Sequence, residues 1–398
     1  MSITLRELLA AAGLPADSAP DTPVTGIAYD SRKVRPGFVF VAIPGEHTDG
    51  HAHAAAAVAS GAVAVVALDG RTTADTARAA LVRVPDTRAA LAPLSTAFYG
   101  FPGRKLRVVG ITGTDGKTTT SYLATSVLDA GGFRTGMITT VDFKVGERWE
   151  ANNSRQTTPE SLENQQMLRE MVDAGCDTVV LESTSHGLAL HRLDCCEYDV
   201  GVLTNITSDH LDFHQTREAY IEAKSRLFEM LDESIDKSTP KAAVLNLDDA
   251  TSAYMRSKTR ASVISYALDQ PADISAEDVI LGESGTSFML VTPAGRARVN
   301  LALPARYNVA NALAATGVGV ALGMTVDDVA GGLSALTGVP GRMERIDEGQ
   351  PFTVIVDYAH TEESLRNVLR VLRPLTKGRL MVLFGAAGDR DPGRRTGL

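Results

Sequence analysis

Cysteine is scarce: three occur in 398 residues, Cys176, Cys195 and Cys196. An odd number with two side by side makes a poor disulfide framework, which excludes a small stapled secreted domain. Long apolar runs are missing too. The most apolar stretch, residues 52–68, is broken by Ser60 and Gly61 and falls short of the ~20 residues that a membrane-spanning helix needs. Residues 1–12 lack the basic start, apolar stretch and small-residue cleavage site of a secretory signal. A soluble, cytoplasmic protein with no membrane span is the expectation. Basic charge is in deficit, with 39 Lys and Arg against 48 Asp and Glu, a net charge of −9. Wholesale nucleic-acid binding is therefore disfavoured, and any anionic ligand has to be held by a local site.

Hydrophobic residues make up 44% and charged residues 22%, globular averages that exclude disorder. The length corresponds to two or three domains. Residues 1–102 read as a small α/β unit with strands at 39–43 and 62–67 and an Ala-rich helix at 53–60. Residues 103–338 read as a central unit in which strands at 106–111, 178–181, 200–204 and 242–247 alternate with helices. That alternation implies a mainly parallel sheet covered on both faces, an α/β fold. Strand-like runs within 262–303 are expected to form a β-appendage, followed by helices near 308–322 and 325–336. Residues 339–398 read as strand 352–356, helix 362–372 and strand 380–384, short for an open parallel α/β domain and so expected to be either cut or vestigial.

The sharpest chemical signal is GITGTDGKTTT at residues 110–120, where a strand feeds a Gly-rich turn and then a helix. Gly113 and Gly116 let backbone N–H groups face phosphate oxygens, Lys117 supplies a mobile cation, and Thr118 offers a hydroxyl to Mg²⁺. Ile111 stands where the strict GxxxxGK[ST] pattern has its first glycine. The reading is a nucleoside-triphosphate site. Glu182 ends the next apolar strand, where a carboxylate either meets Mg²⁺ or is a solvated strand-end acid. His210 lies in SDHLDFH after another strand and is either a metal or phosphate ligand or structural; Asp209 and Asp212 are equally capping acids. Lys224 falls on the apolar face of a helix at 217–231, four residues after Tyr220. It either snorkels to solvent, loses its charge by a shifted pKa, or adds CO₂ to become a carbamate that ligates a second Mg²⁺.

The ordered segments GITGTDGKTTT, LESTSHGL, TNITSDHLDFH, EAYIEAKSRLF, RYNVANALAA, GVPGRMERI, VDYAHTEESL and FGAAGDRD resemble the Mur ligases of peptidoglycan synthesis. YDSRKVRPGFVFVAIPGEHTDGH and TTPESLE resemble the branch that adds the third amino acid. The resemblance implies a three-domain architecture: a UDP-substrate domain, a P-loop ATP domain and a Rossmann-like last domain. It also implies ATP-dependent addition of an amino acid, meso-diaminopimelate in preference to L-lysine, to UDP-MurNAc-L-Ala-D-Glu through an acyl phosphate.

Carried over by motif, Gly113, Thr114, Asp115, Gly116, Lys117, Thr118 and Thr119 would cradle ATP, with Thr118 and Glu182 on one Mg²⁺. His210 and carbamylated Lys224 would serve a second, and Asn311, Arg342 and Asp357 would meet the nucleotide, the last two only when the third domain swings in. Tyr29, Ser31, Glu46, His47 and Thr48 match the uridine segment, Thr157, Thr158, Ser185 and Arg192 the muramoyl-dipeptide contacts, and Arg390 the amino-acid site. Asp115, Gln156 and Leu190 depart from the family pattern. The Asp–Asn–Pro–Arg-type motif that selects the amino acid does not occur among residues 339–398, so the last domain is expected to be incomplete. A monomer is expected. The alternatives are a truncated, non-catalytic nucleotide- and UDP-sugar-binding paralogue, or a folylpolyglutamate-synthase-like ligase.

Overall fold

Short continuous apolar runs suit strands of a parallel sheet buried on both faces, and the middle of the chain uses them that way. The computed structural model describes residues 3–45, 48–71, 78–154, 156–207, 211–282, 285–386 and 393–398. Eight strands form the main sheet in the order Arg148–Ala151, Asp142–Val145, Thr135–Ile138, Thr178–Glu182, Arg107–Thr112, Val200–Leu203, Ala242–Asn246 and Ser262–Tyr266. The first two make an antiparallel hairpin at one edge and the other six run parallel. Side chains alternate across this sheet. Val109 and Ile111 join one apolar cluster with Leu123, Val127, Leu313 and Val318, under the helices Lys117–Ala130 and Arg306–Ala321. Val108 and Leu181 join the opposite cluster with Leu168, Leu227 and Phe228, under Ser161–Asp173 and Arg217–Glu233.

The register sets the site. Ile111 pairs with Glu182 and Thr112 with Leu203, so three adjacent strands end level and their following loops meet. Gly110 sits mid-strand because a Cβ there would fall 2.5 Å from the Tyr198 ring and 2.6 Å from Leu227.

Before the main sheet stands a four-stranded parallel sheet of Gly26–Ala28, Phe38–Val41, Ala64–Leu68 and Ala80–Val84. The connection between the two sheets is pinned. Lys237 Nζ donates to the carbonyls of Gly103 (3.1 Å) and Leu106 (2.8 Å) and pairs with the fully buried Asp199 at 2.6 Å. Asp199 also pairs with Lys241 and accepts from the amide of Val108.

Two expectations need correcting. Residues 262–266 belong to the main sheet, not to the appendage, because parallel pairing with Ala242–Asn246 gives their backbone a complete ladder on one side. The appendage is the meander Ser275–Leu281, Thr286–Thr292 and Gly295–Leu301. The strand expected at 380–384 does not form, and Leu383 is fully exposed. A strand needs a neighbour to satisfy its backbone, and Val354–Val356 pairs only with Glu344–Ile346 among the described residues. The helix Glu362–Leu375 buries a single side chain, Leu365.

Candidate active site

The strand Arg107–Thr112 delivers the chain into its Gly-rich turn at the sheet's carboxyl end. Gly113 at φ +150° and Gly116 at φ +83° hold conformations that a side chain resists, and each is closely packed. A Cβ would lie 1.8 Å from Thr204 Oγ1 at Gly113 and 2.3 Å from Asn311 Oδ1 at Gly116. The loop between them is tied to the residues after Val200–Leu203. The Thr114 amide donates to Asn205 O (2.7 Å), the Asp115 amide to Asn205 Oδ1 (3.0 Å), and Thr204 Oγ1 to Asp115 O (2.7 Å). Gly116 then caps Lys117–Ala130 with no side-chain cap, so the first-turn N–H groups face outward for an anion. Lys117 Nζ bends back onto Thr114 O at 2.8 Å, Asp115 is exposed, and Thr119 is buried.

Glu182 is 2% exposed at the end of its strand. Its Oε2 accepts from Thr118 Oγ1 (3.0 Å), the Thr140 amide (3.0 Å) and Thr140 Oγ1 (3.1 Å). Arg342 Nη2 donates to the same Thr118 hydroxyl at 3.1 Å, and its guanidinium lies 4.7 Å from the Tyr358 ring centroid. One buried carboxylate beside two hydroxyls is the hard oxygen donor set that suits Mg²⁺, so these residues fit that ion. Thr140 went unread in the sequence because the strand before it, Thr135–Ile138, carries Thr and Gly among its apolar residues.

Lys224 is 1% exposed, which corrects the snorkelling alternative. Its Nζ donates to Gly113 O at 2.6 Å and lies 4.5 Å from the Tyr220 ring centroid. The Tyr220 hydroxyl in turn bonds Thr114 Oγ1 at 3.0 Å, so one helix supports the phosphate loop at two points. Nearby, His214 is pushed down to about 4 by burial, by His186 and by the cationic amine of Lys224. Its Nε2 is buried with no hydrogen-bond partner among the described residues.

Asn311 packs on the loop, donating to Asn308 Oδ1 (3.1 Å) and accepting from Thr120 Oγ1 (3.4 Å). Asp357 does not reach the loop; it accepts from the amides of Met343 (2.7 Å) and Ala359 (2.8 Å) and shapes the turn that presents Arg342. Arg342 itself already touches Thr118, so its contact with the loop needs no swing of the third unit. Thr157 Oγ1 lies within hydrogen-bond distance of Thr140 Oγ1 (3.0 Å), and Thr158 Oγ1 donates to Glu182 O (3.0 Å). Ser185 is buried at the start of Ser185–Ala189, and Arg192 Nη1 donates to Thr158 O (3.2 Å). These four therefore gather beside Glu182. Tyr29 donates its hydroxyl to Glu163 at 2.8 Å, across from the first sheet to the helix Ser161–Asp173. Ser31 begins a single helical turn, and Thr48 bonds His53 Nε2 at 3.0 Å, away from the phosphate loop in sequence and contacts. Glu46, His47, Asp209, His210 and Arg390 lie outside the described residues. No helix among the described residues is long and apolar enough to cross a membrane.

Comparison with known proteins converges on one family. Residues 23–99 match "Mur ligase family, catalytic domain", residues 111–319 "Mur ligase middle domain" and residues 341–398 "Mur ligase, glutamate ligase domain". The UDP-N-acetylmuramyl-tripeptide synthetase of a Roseiflexus species is 47% identical over 98% of this chain and 78% of its own. The UDP-N-acetylmuramoyl-L-alanyl-D-glutamate–2,6-diaminopimelate ligase of Bacillus licheniformis is 45% identical over 94% of this chain and 76% of its own. A solved structure of a ligase of that name superposes with a TM-score of 0.78 at 30% identity, covering 100% of this chain and 79% of that one. The Thermotoga maritima MurF ligase in complex with ADP superposes at 0.63 with 25% identity, over 87% of this chain and 74% of its own. Folylpolyglutamate synthase of Mycobacterium tuberculosis shares the fold, at 20% identity, a TM-score of 0.59 and coverage of 72% and 70%. With three successive matches in the expected order and close relatives along nearly its whole length, this chain belongs to the Mur ligase family.

Proposed function

We propose that this protein is an ATP-dependent amide-bond ligase of peptidoglycan synthesis that adds meso-diaminopimelate to UDP-N-acetylmuramoyl-L-alanyl-D-glutamate. The observation that carries the reading is the junction of Thr118, Glu182 and Thr140 at the ends of adjacent strands, directly beside the Gly-rich loop. Relatives at 41–45% identity are named for this diaminopimelate ligation. The γ-phosphoryl group passes to the terminal carboxylate of the dipeptide, ADP leaves, and the incoming amine displaces phosphate to form the amide. Two anionic reactants must meet in an acidic protein, so cationic neutralisation at the loop dominates. Lys117 supplies it at the phosphates, the N-terminus of Lys117–Ala130 supplies oriented N–H groups, and Arg342 adds a guanidinium from the third unit.

Mg²⁺ bound through Thr118 and Glu182 would offset the charge of the transferring phosphoryl group. Lys224 as an amine offers no oxygen ligand. Addition of CO₂ to the neutral amine, with N–C bond formation and loss of one proton, turns it into an anionic carbamate suited to a second Mg²⁺ with His210. Thr157, Thr158, Ser185 and Arg192 then serve the muramoyl-dipeptide, and Tyr29, Ser31 and Thr48 the uridine end.

The test is phosphate release from ATP with the UDP-linked dipeptide and, in turn, diaminopimelate or lysine, with mass spectrometry of products. A diaminopimelyl tripeptide is expected; ATP binding with no product from either amino acid overturns the reading. Lys224→Ala is expected to be inactive and partly restored by short carboxylic acids, and full activity in that variant would sink the carbamate.

A further inference from the structure

We propose that Glu160 is a positioning residue: it aims Arg192 at the acidic end of the UDP-linked dipeptide and ties that arginine to the first unit through Arg88. The proposal rests on the ligase reading above. Glu160 occupies the N-cap position of the helix Ser161–Asp173, yet its side chain makes no capping bond. It turns to two arginines instead. Arg192 Nη2 meets Oε1 at 2.9 Å, and Arg88 Nη1, from the helix Thr87–Phe98 of the first unit, lies 3.3 and 3.4 Å from the two oxygens. The side chains of Glu160 and Arg192 are each 11% exposed, so this pair is poorly screened by solvent.

Everything else about Arg192 is fixed. Its amide donates to Gly187 O, its carbonyl accepts from Asn164 Nδ2 at 2.9 Å, and Nη1 donates to Thr158 O. Thr158 in turn bonds the backbone of Glu182, so the guanidinium stands one residue from the Mg²⁺-type donor set. Its Nε is buried and has no hydrogen-bond partner among the described residues. A buried N–H without an acceptor is costly, and an incoming carboxylate supplies one. Two guanidinium groups share the Glu160 carboxylate, and the neighbouring Glu163 carboxylate is engaged by the Tyr29 hydroxyl instead. Glu160 thus orients Arg192 without cancelling it, because Arg88 draws on the same carboxylate.

Glu160→Gln keeps the shape and removes the charge. Loss of a charged hydrogen bond of this kind corresponds to a rise of about ten- to hundredfold in KM for UDP-MurNAc-L-Ala-D-Glu, with the KM for ATP and kcat little changed. Arg88→Ala, on the outer side of the cluster, is expected to raise the same KM by a smaller factor. Its effect should disappear in a Glu160→Gln background, since the two act through one contact. Arg296→Gln, in an exposed pair with Glu277 on the appendage, serves as the unaffected control. An unchanged KM for the UDP-dipeptide in Glu160→Gln overturns the proposal. So does a parallel rise in both KM values with a lowered Tm, which marks a purely structural staple. If Glu160→Gln does not fold, Arg88→Ala decides alone by the same split. Wild-type protein that neither binds the UDP-dipeptide nor makes product would refute the ligase reading itself, and the positioning role with it.

Discussion

Lys117 and Glu182, the two charged residues proposed for the nucleotide site, are held very differently. Lys117 is half-buried and bonds one carbonyl, so Lys117→Met is expected to leave Tm unchanged while kcat falls by about 10²–10³, the loss seen when one transition-state contact is removed. Glu182 is locked by three donors, so Glu182→Gln should lower both kcat and the apparent affinity for Mg²⁺ in a metal titration. Full activity in either variant would remove that residue from the site. His214 makes a separate statement about pH. Its folded-state pKa of about 4 lies below the ordinary histidine value near 6.5, so the folded protein resists its protonation. Stability is full above the ordinary value and is lost as pH falls from about 6.5 towards 4, because the unfolded chain takes up the proton first. A urea series from pH 7.5 to 4.5 should show that loss, and His214→Gln should flatten it. Single residues were legible where their chemistry clashed with their setting: a lysine on an apolar face, or an acid closing an apolar strand. Glu160, Thr140 and Asn205 were not, since ordinary polar residues in loops reveal their partners only after folding.

At the scale of elements, fit between a strand and its covering helix decides tolerance. Gly110→Ala drives a methyl into Tyr198 and Leu227, which face it from beneath Arg107–Thr112. Overpacking of this kind costs about 1–3 kcal/mol, read as a lower urea midpoint at unchanged slope. No change in midpoint would mean that helix Arg217–Glu233 can yield. The start of the helix Lys117–Ala130 was readable, because a strand and a Gly-rich turn lead into it. The hairpin Asp142–Val145 and Arg148–Ala151 was not, since its exposed outer strand lacks an apolar pattern. Residues 262–266 and 380–384 show the same limit from two sides. Both look like strands, and only the presence or absence of a neighbouring ladder separates them.

The whole molecule joins three sheet-bearing units by unequal means. Between the first and second, the contacts Tyr29–Glu163 and Arg88–Glu160, together with a connecting segment held at Gly103 and Leu106 by Lys237, leave little freedom. Among the described residues, the third is attached chiefly through Arg342, whose guanidinium donates to Thr118. Movement on adding ATP and Mg²⁺ is therefore expected in the third unit alone, and low-angle scattering should show compaction. Superimposable profiles would count against it. The order of the three units could be read from motifs, whereas the arginine already resting on Thr118 could not, because it depends on the path of the turn. The lone buried side chain of Glu362–Leu375 has a consequence in time. Protection of backbone amides from deuterium follows the free energy of opening, which is small where little apolar surface is covered. The amides of that helix should exchange through local fraying, while those of Arg107–Thr112, sealed between two apolar clusters, should wait for the whole domain to unfold. One chain would then keep two clocks, a fast one in the third unit and a slow one beneath the Gly-rich loop.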